Sequence, residues 1–408
     1  MVAMGYKQYA IAGFSIQSLQ KVFIFFLNFL KITILARLLK PTDFGLFSLV
    51  MIAIGLTESF TQTGINTTIV QSKKDINYFL DTAWVIAIIR GFLIGVIMLV
   101  LAFAMSNFYQ EDLLFPLITV ATLIPIIKGF INPAIAQWQK NFRFAKEGLY
   151  HAIHLTAEVL MQIVLALIWK SVWALLGGVI LAAVVEVIVS FIMNPQRPKF
   201  HYRSDRARHI FSNSKPLMLA SVLTYLNDNA DDFLIGKMLD AHQLGIYHNS
   251  YSLSHKLNYE LSKSAHHGLM PVFSNLHKED EQPRLRRAFK SSIFSTFLLS
   301  LALSLPLIIW PSFFVNLILG DQWLEASQII GILVLAGLVH SLTNIVYALQ
   351  IAQKRYLPMN FHLLVSLLLM IAGIISLTPT YGLYGACLGI LLARVISLPI
   401  SLLSVKKN

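Results

Sequence analysis

Apolar stretches of about twenty residues recur along the whole chain, separated by short breaks rich in charge, proline or asparagine. A helix that crosses the roughly 30 Å hydrocarbon core of a bilayer needs about 20 mostly apolar residues, because lipid offers no partner for a free amide or carbonyl. Read this way, the pattern predicts twelve spanning helices. Those of the first half are Ser15–Ala36, Phe44–Ile65, Ala83–Met105, Leu113–Pro133, Ile153–Trp169 and Val172–Met193. Those of the second are Pro216–Gly236, Leu244–Ala265, Ile293–Leu319, Ser327–Gln350, Phe361–Leu377 and Leu383–Leu403. The eighth stands apart. Its Ser250, Ser252, Ser254, His255, Lys256, Asn258 and Glu260 are too polar to face lipid, so that helix must line protein or water if it spans.

An internal repeat organises the twelve. Leu38-Leu39-Lys40-Pro41-Thr42-Asp43-Phe44-Gly45-Leu46-Phe47 returns 200 positions later as Met238-Leu239-Asp240-Ala241-His242-Gln243-Leu244-Gly245-Ile246-Tyr247. Gln139-Lys140-Asn141-Phe142 pairs with Gln353-Lys354-Arg355-Tyr356, and Trp173–Gly177 with Tyr381–Gly385, in the same order. Each match alone is weak. Together they predict two parallel six-helix lobes around a central cavity: an N-terminal lobe at 1–193, a basic linker at 194–215 and a C-terminal lobe at 216–408.

Composition agrees with the membrane reading: 56% of the 408 residues are hydrophobic and only 13% charged. No small-residue cleavage site follows a short apolar core at the N-terminus, so no removable signal peptide is expected. The lone cysteine, Cys387, excludes a disulfide framework or a multi-cysteine metal site. A net charge of +12 is what the positive-inside rule asks of cytoplasmic loops, and nucleic acid is set aside as a partner. With the N-terminus inside, most of the 32 basic residues fall on the cytoplasmic side, whereas the opposite side holds Arg37, Lys40, Lys170 and Lys237. Removing the eighth span would invert every later loop and move both the Lys278–Lys290 loop and the Lys406–Lys407 tail to the outer side. The asymmetry therefore favours twelve spans, with both termini cytoplasmic.

A charge at the centre of a spanning helix costs about 2.5–3.5 kcal/mol on insertion scales and is retained for a partner or a pathway. The first half carries Lys21, Lys31, Arg90 and Lys128 against Glu158 and Glu186, four cations to two anions. Lys21, Asn28 and Lys31 can point into one cavity, where ammonium and guanidinium groups suit a phosphate-bearing cargo. The structural alternative pairs Glu158 or Glu186 with a basic neighbour, or lets Lys128 snorkel. In the second half, Asp228, Asp231 and Asp232 share one helical face. They can bind a coupling cation or a proton, and can equally pair with Lys256, His255 or Lys31. Arg394, equivalent to Glu186 in the repeat, and Lys256 complete the candidate cavity cations.

The first-span exit Ala36-Arg37-Leu38-Leu39, the following Phe44-Gly45-Leu46-Phe47-Ser48, Thr63-Gly64-Ile65, Phe142-Arg143-Phe144 and the Leu244-Gly245-Ile246-Tyr247 echo resemble polysaccharide-family flippases of the multidrug/oligosaccharidyl-lipid/polysaccharide exporter superfamily. That resemblance implies a V-shaped twelve-helix core and a transporter of the inner membrane rather than an enzyme. It also implies alternating access driven by an ion gradient, proton or sodium, with no other cofactor. The implied cargo is an undecaprenyl-diphosphate-linked oligosaccharide whose diphosphate meets lobe-facing basic residues; membrane lipid and polysaccharide-assembly proteins are the implied partners. The chain stops soon after the twelfth window, where some members of that family carry two further helices and an additional lipid-tail groove.

Two other functions compete. A drug/cation antiporter of the same superfamily is favoured by the span-seven aspartates and disfavoured by the basic first half. A membrane-embedded glycan polymerase or ligase would need water-exposed acid/base or nucleophilic groups, often on a large outer loop. The outer connections are short, and neither His151 with His154 nor His266 with His267 has an obvious partner set.

Overall fold

A computed structural model describes residues 23–61, 64, 65, 69, 70, 72, 74–141, 143–211, 214–278 and 281–406. The described residues are helical throughout, with no β-strand among them. In chain order the helices are α1 (23–38), α2 (Pro41–Phe60), α3 (Ile76–Tyr109), α4 (Leu114–Ala121), α5 (Leu123–Gly129), α6 (Ala136–Lys140), α7 (Phe144–Trp169) and α8 (Val172–Ile192). Then come α9 (Ser204–Phe211), α10 (Ser214–Met238), α11 (Ala241–Lys278), α12 (Gln282–Ile309), α13 (Pro311–Ile318), α14 (Ala326–Ala352) and α15 (Tyr356–Lys406).

α3 shows why these helices belong in lipid. One face, with Ile94, Met98, Ala102 and Met105, is buried. The opposite face, with Phe92, Val96, Val100 and Phe103, is equally apolar yet exposed, Val100 by 70%. A helix that is hydrophobic all round while half of it faces outward needs an apolar solvent. Among the described residues, seven helices are long and apolar enough to cross a membrane, or eight if the bent pair Leu114–Gly129 with Pro133–Lys140 is one span.

Where they are described, the sequence windows fall largely on helix; neither α10 nor the described part of α1 is among those seven, and three further windows depart from a plain span. The Leu113–Pro133 window is broken into α4 and α5, because Pro125 lacks an amide and its ring crowds the carbonyl of Ala121. The Ile293–Leu319 window breaks at Trp310, whose φ of −125° and ψ of 58° leave the helix one residue before Pro311. α11 fails on polarity, as its serines and asparagine predict. Its polar face is turned into protein: Asn249, Ser250, Ser254, Asn258 and Ser262 are buried, and Asn258 Nδ2 donates to Ser304 Oγ at 2.9 Å.

α15 is two helices joined at Gly382, whose φ of 58° is the left-handed conformation that glycine adopts without strain. The halves fold back on each other. A Cβ on Gly373 would stand 2.8 Å from the Gly389 Cα, so side chains there would hold the halves apart. The eleventh and twelfth windows are therefore the two arms of one hairpin.

The chain divides into two compact units, 1–40 with 49–226 and 41–48 with 227–408. These do not coincide with lobes at 1–193 and 216–408. The segment read as a linker is packed: Ala207 and Ile210 of α9 are buried with Ile76, Phe79 and Leu80 of α3, and α9 counts with the first unit. In the other unit, Phe273 of α11 and Leu285 of α12 pack with Ile345, Ala348 and Leu349 of α14.

The repeat is visible within the second unit. α2 and α11 both begin after a two-residue break from the preceding helix, α2 with Pro41 at its first position and α11 with Asp240 accepting from the Gln243 amide at 2.8 Å. Different caps thus start the same turn. A Cβ on Gly45 would lie 1.8 Å from the Ala241 carbonyl oxygen, and one on Gly245 would lie 1.9 Å from that of Pro41. Ser48 Oγ also sits 3.4 Å from His248 Nδ1. Positions 41, 45 and 48 meet 241, 245 and 248 reciprocally, as a local two-fold relation requires. Only glycine permits so close a crossing.

Candidate functional site

In the first unit, α7 carries a polar stripe at four-residue steps: Tyr150, His154, Glu158 and Gln162. Side chains four apart on a helix lie one above the other, so a single face collects all four. Lys31 of α1 donates to Glu158 Oε1 at 2.9 Å, with both side chains about one-fifth exposed. Lys128 of α5 and His154 also act electrostatically on the Glu158 carboxylate. Glu186 of α8 accepts from Tyr150 Oη at 3.3 Å and faces His154 Nε2 at 3.3 Å. Gln162 Nε2 donates to the Leu175 carbonyl at 3.1 Å, which tethers α7 to α8 below the charged groups. Lys31, Lys128, His154, Glu158 and Glu186 thus form one cluster, two ammonium groups and a histidine beside two carboxylates.

Arg90 of α3 stands apart from it. Its Nε donates to the Thr61 carbonyl at 2.8 Å and to Thr61 Oγ1 at 3.2 Å, and Nη2 donates to the Glu58 carbonyl at 3.1 Å. The last carbonyls of a helix have no partner inside it and carry partial negative charge. Arg90 caps the C-terminal end of α2, and the side chain of Glu58 acts on its charge as well. Arg90 is thus held by backbone carbonyls at the end of α2. The balance of four cations to two anions omits Glu58, which lies inside the second window.

In the second unit, Tyr247 Oη of α11 donates to Asp231 Oδ2 of α10, and Asp231 Oδ1 accepts the Asp232 amide at 3.0 Å. Asp232 Oδ2 lies 3.2 Å from His248 Nδ1. One turn along α11 from Tyr247, Tyr251 accepts a long hydrogen bond, 3.4 Å, from Arg394 Nη2 of α15. Arg394 acts electrostatically on both Asp228 and Asp231, and Lys263 acts on Asp228. Asp231 and Asp232 are buried, while Asp228 is exposed. This second cluster therefore runs from Asp232 through Asp231, Tyr247 and Tyr251 to Arg394.

Lys31 meets Glu158, the structural pairing that the sequence left open, and among the described side chains Asp231 and Asp232 meet Tyr247 and His248. His154 does have a partner, Glu186, and His266 Nδ1 lies 2.9 Å from the Asn344 carbonyl. Lys21 lies outside the described residues, as does the side chain of Lys256 on α11. The stripe at 150, 154, 158 and 162 and the pair at 247 and 251 were signalled by four-residue spacing. Among the described residues, no cluster of three or more His, Cys, Asp or Glu side chains could hold a metal ion.

Apolar helices crossing a membrane several times, with charged clusters buried among them, define a multi-pass membrane protein of the transporter type. The fold is that of solved members of the multidrug/oligosaccharidyl-lipid/polysaccharide superfamily. One is the lipid II flippase MurJ in an inward closed conformation, at a TM-score of 0.70 and 15% identity over 96% of this chain and 87% of that one. Another is an inward-facing multidrug resistance MATE family transporter, at 0.65 and 14% over 94% and 96%. The chain belongs to the polysaccharide biosynthesis protein family, whose pattern matches residues 34–328. Its relatives include an uncharacterized membrane protein of the cps region of Klebsiella pneumoniae, 24% identical over 97% of this chain and 81% of that protein. The lipopolysaccharide biosynthesis protein WzxC of Escherichia coli is 23% identical over 97% and 80%.

Proposed function

We propose that this protein is an alternating-access flippase that carries a diphosphate-linked, undecaprenyl-type oligosaccharide repeat unit across the inner membrane for polysaccharide or O-antigen biosynthesis. Membership of a polysaccharide biosynthesis family sets the pathway, and relatives named for lipopolysaccharide biosynthesis and for succinoglycan biosynthesis transport support movement of its intermediates. The observation that carries the cargo is the pair Lys31 and Lys128 around one carboxylate, Glu158. An incoming anion can compete with Glu158 for these ammonium groups. A diphosphate offers several oxygens for charge-assisted hydrogen bonds. Lys21, Lys256, Arg394 and Arg90 remain further candidates for that contact. Both termini are cytoplasmic in the twelve-span topology that the charge asymmetry favours.

The carboxylates of the second unit supply the coupling. Asp231, with Asp232 and Asp228, takes a proton or sodium ion in this reading, with Tyr247 donating a hydrogen bond to the carboxylate and Arg394 acting on it electrostatically. A second reading, an ion-coupled drug/cation antiporter, draws on the same aspartates and on the fold shared with a multidrug transporter. Proteoliposomes separate the two. Transfer of a labelled undecaprenyl-diphosphate glycan between leaflets, with no new covalent product, is expected; efflux of a cationic dye without glycan transfer would overturn the flippase reading in favour of the antiporter.

A further inference from the structure

A cavity of about 350 Å³ opens in the second unit where the first turns of α11 and α14 meet the Gly382 break of α15. Ile329 and Leu383 line it with apolar surface and are both buried. Its polar rim is Gln243, Glu325 and Gln328, and two exposed aromatic rings, Tyr381 and Tyr384, stand either side of the break. The volume falls at the low end of the roughly 300–1,000 Å³ of small-molecule sites.

The rim is preorganised on one side and open on the other. Glu325 Oε2 meets His242 Nε2 at 3.2 Å and Gln243 Nε2 at 3.3 Å, which fixes the carboxylate, while Oε1 takes no hydrogen bond among the described residues. The Gln328 amide and the Tyr381 and Tyr384 hydroxyls likewise make none there. Carboxylate, primary amide and phenol together donate and accept in a small space, and the rings offer flat apolar faces. A pyranose has the matching surface, with hydroxyls around its edge and a face of C–H bonds that packs on an aromatic ring. Tyrosines also gather at membrane interfaces. An interfacial belt alone would not require a carboxylate and two amides converging on the same hollow.

We infer that this cavity is a carbohydrate subsite that holds one or two sugar residues of the cargo. Assigning those sugars to the cargo rests on the flippase reading; sugar binding itself does not. In the twelve-span topology the cavity opens on the side opposite the termini, so it would engage the glycan as it leaves.

Saturation-transfer NMR on the full chain in lipid nanodiscs, with millimolar glucose, galactose, N-acetylglucosamine and glucuronic acid as probes, tests the assignment. Transfer to the C–H protons of at least one sugar is expected with the unaltered protein and with Tyr384→Phe. Tyr384→Ala should weaken it by about fivefold, as loss of an aromatic contact of roughly 1 kcal/mol implies. Gln328→Ala, at an exposed side chain with no protein partner, decides the matter if Tyr384→Ala does not fold. No transfer to any sugar, or equal transfer in folded Tyr384→Ala and Gln328→Ala, would overturn the subsite. Leaflet transfer, measured in parallel, keeps the two conclusions apart: glycan flipping without sugar binding sinks only the subsite, and sugar binding without flipping supports it while sinking the flippase.

Discussion

At repeat-equivalent positions the two halves of the chain carry opposite charges. Lys31 of α1 corresponds to Asp231 of α10, and Glu186 of α8 corresponds to Arg394 of α15. The partners are reversed accordingly: Lys31 meets a carboxylate and Glu186 a histidine and a tyrosine, whereas Asp231 and Arg394 both meet tyrosines of α11. The first cluster sets Lys31, Lys128 and His154 beside Glu158 and Glu186, and the second gathers three aspartates with Arg394 and Lys263 nearby. One scaffold, duplicated, thus sets two lysines against two glutamates in one unit and three aspartates against Arg394 and Lys263 in the other. In the proposed function an anionic cargo would compete for the lysines and a cationic coupling ion for the aspartates, because each requires charge of the opposite sign.

Reversing the charge at Lys31 is the most severe way to break this contrast. Lys31→Glu places two carboxylates together, and removal of one partner from a desolvated ion pair costs up to about 3–5 kcal/mol. Glycan export in a flippase-deficient host should fall to background at normal membrane expression. Lys31→Glu combined with Glu158→Lys sharpens the result. A pair that is only structural would recover export, whereas a lysine that also receives the diphosphate would not, and recovery would remove Lys31 from the binding role.

Asp231→Asn comes next. It keeps the shape and the Tyr247 contact but removes the charge, so transport should lose its dependence on a proton or sodium gradient and slow by about tenfold, the equivalent of 1.4 kcal/mol. Gradient-driven transport at the original rate would take Asp231 out of coupling.

Arg90→Ala should act on the protein before it acts on the cargo. Loss of hydrogen bonds from a charged donor to the end of α2 removes about 1.5–3 kcal/mol each. The expected signature is a lower melting temperature in detergent with the export per folded molecule less affected than in the Lys31 variant. Unchanged melting with export abolished would return Arg90 to the cargo site. The smallest effect is expected for Tyr251→Phe, which deletes one long hydrogen bond at Arg394, worth about 1 kcal/mol or less. A loss of export as large as that of Asp231→Asn would show that Arg394 is part of the coupling machinery itself.

Much of this was legible without coordinates, and the boundary between legible and hidden follows one rule. Helix positions could be read because hydropathy over about twenty residues is a local property. The 200-residue echo marked Gly45 and Gly245 as equivalent, and the polar face of α11 announced that it would need protein or water beside it. Pairings could not be read in the same way. Nothing near Lys31 in the chain points to Glu158, which lies on another helix, and the capping of α2 by Arg90 depends on where α3 happens to pass. Glu58 leaves little mark on the pattern, because a single acid inside an otherwise apolar window scarcely changes its hydropathy.

The sequence by itself determined that the chain is helical, lies in a membrane and is built on a repeat, since each of these is written in spacings within one helix or in copies of one segment. Tertiary structure alone decided which charges neutralise each other and which are left over, that the segment 194–215 packs with the first unit, and that three distant helix turns enclose a polar hollow. The reason is range: backbone satisfaction in lipid is settled within a few residues, while the fate of a buried charge is settled by whichever side chain the packing brings within about 4 Å of it.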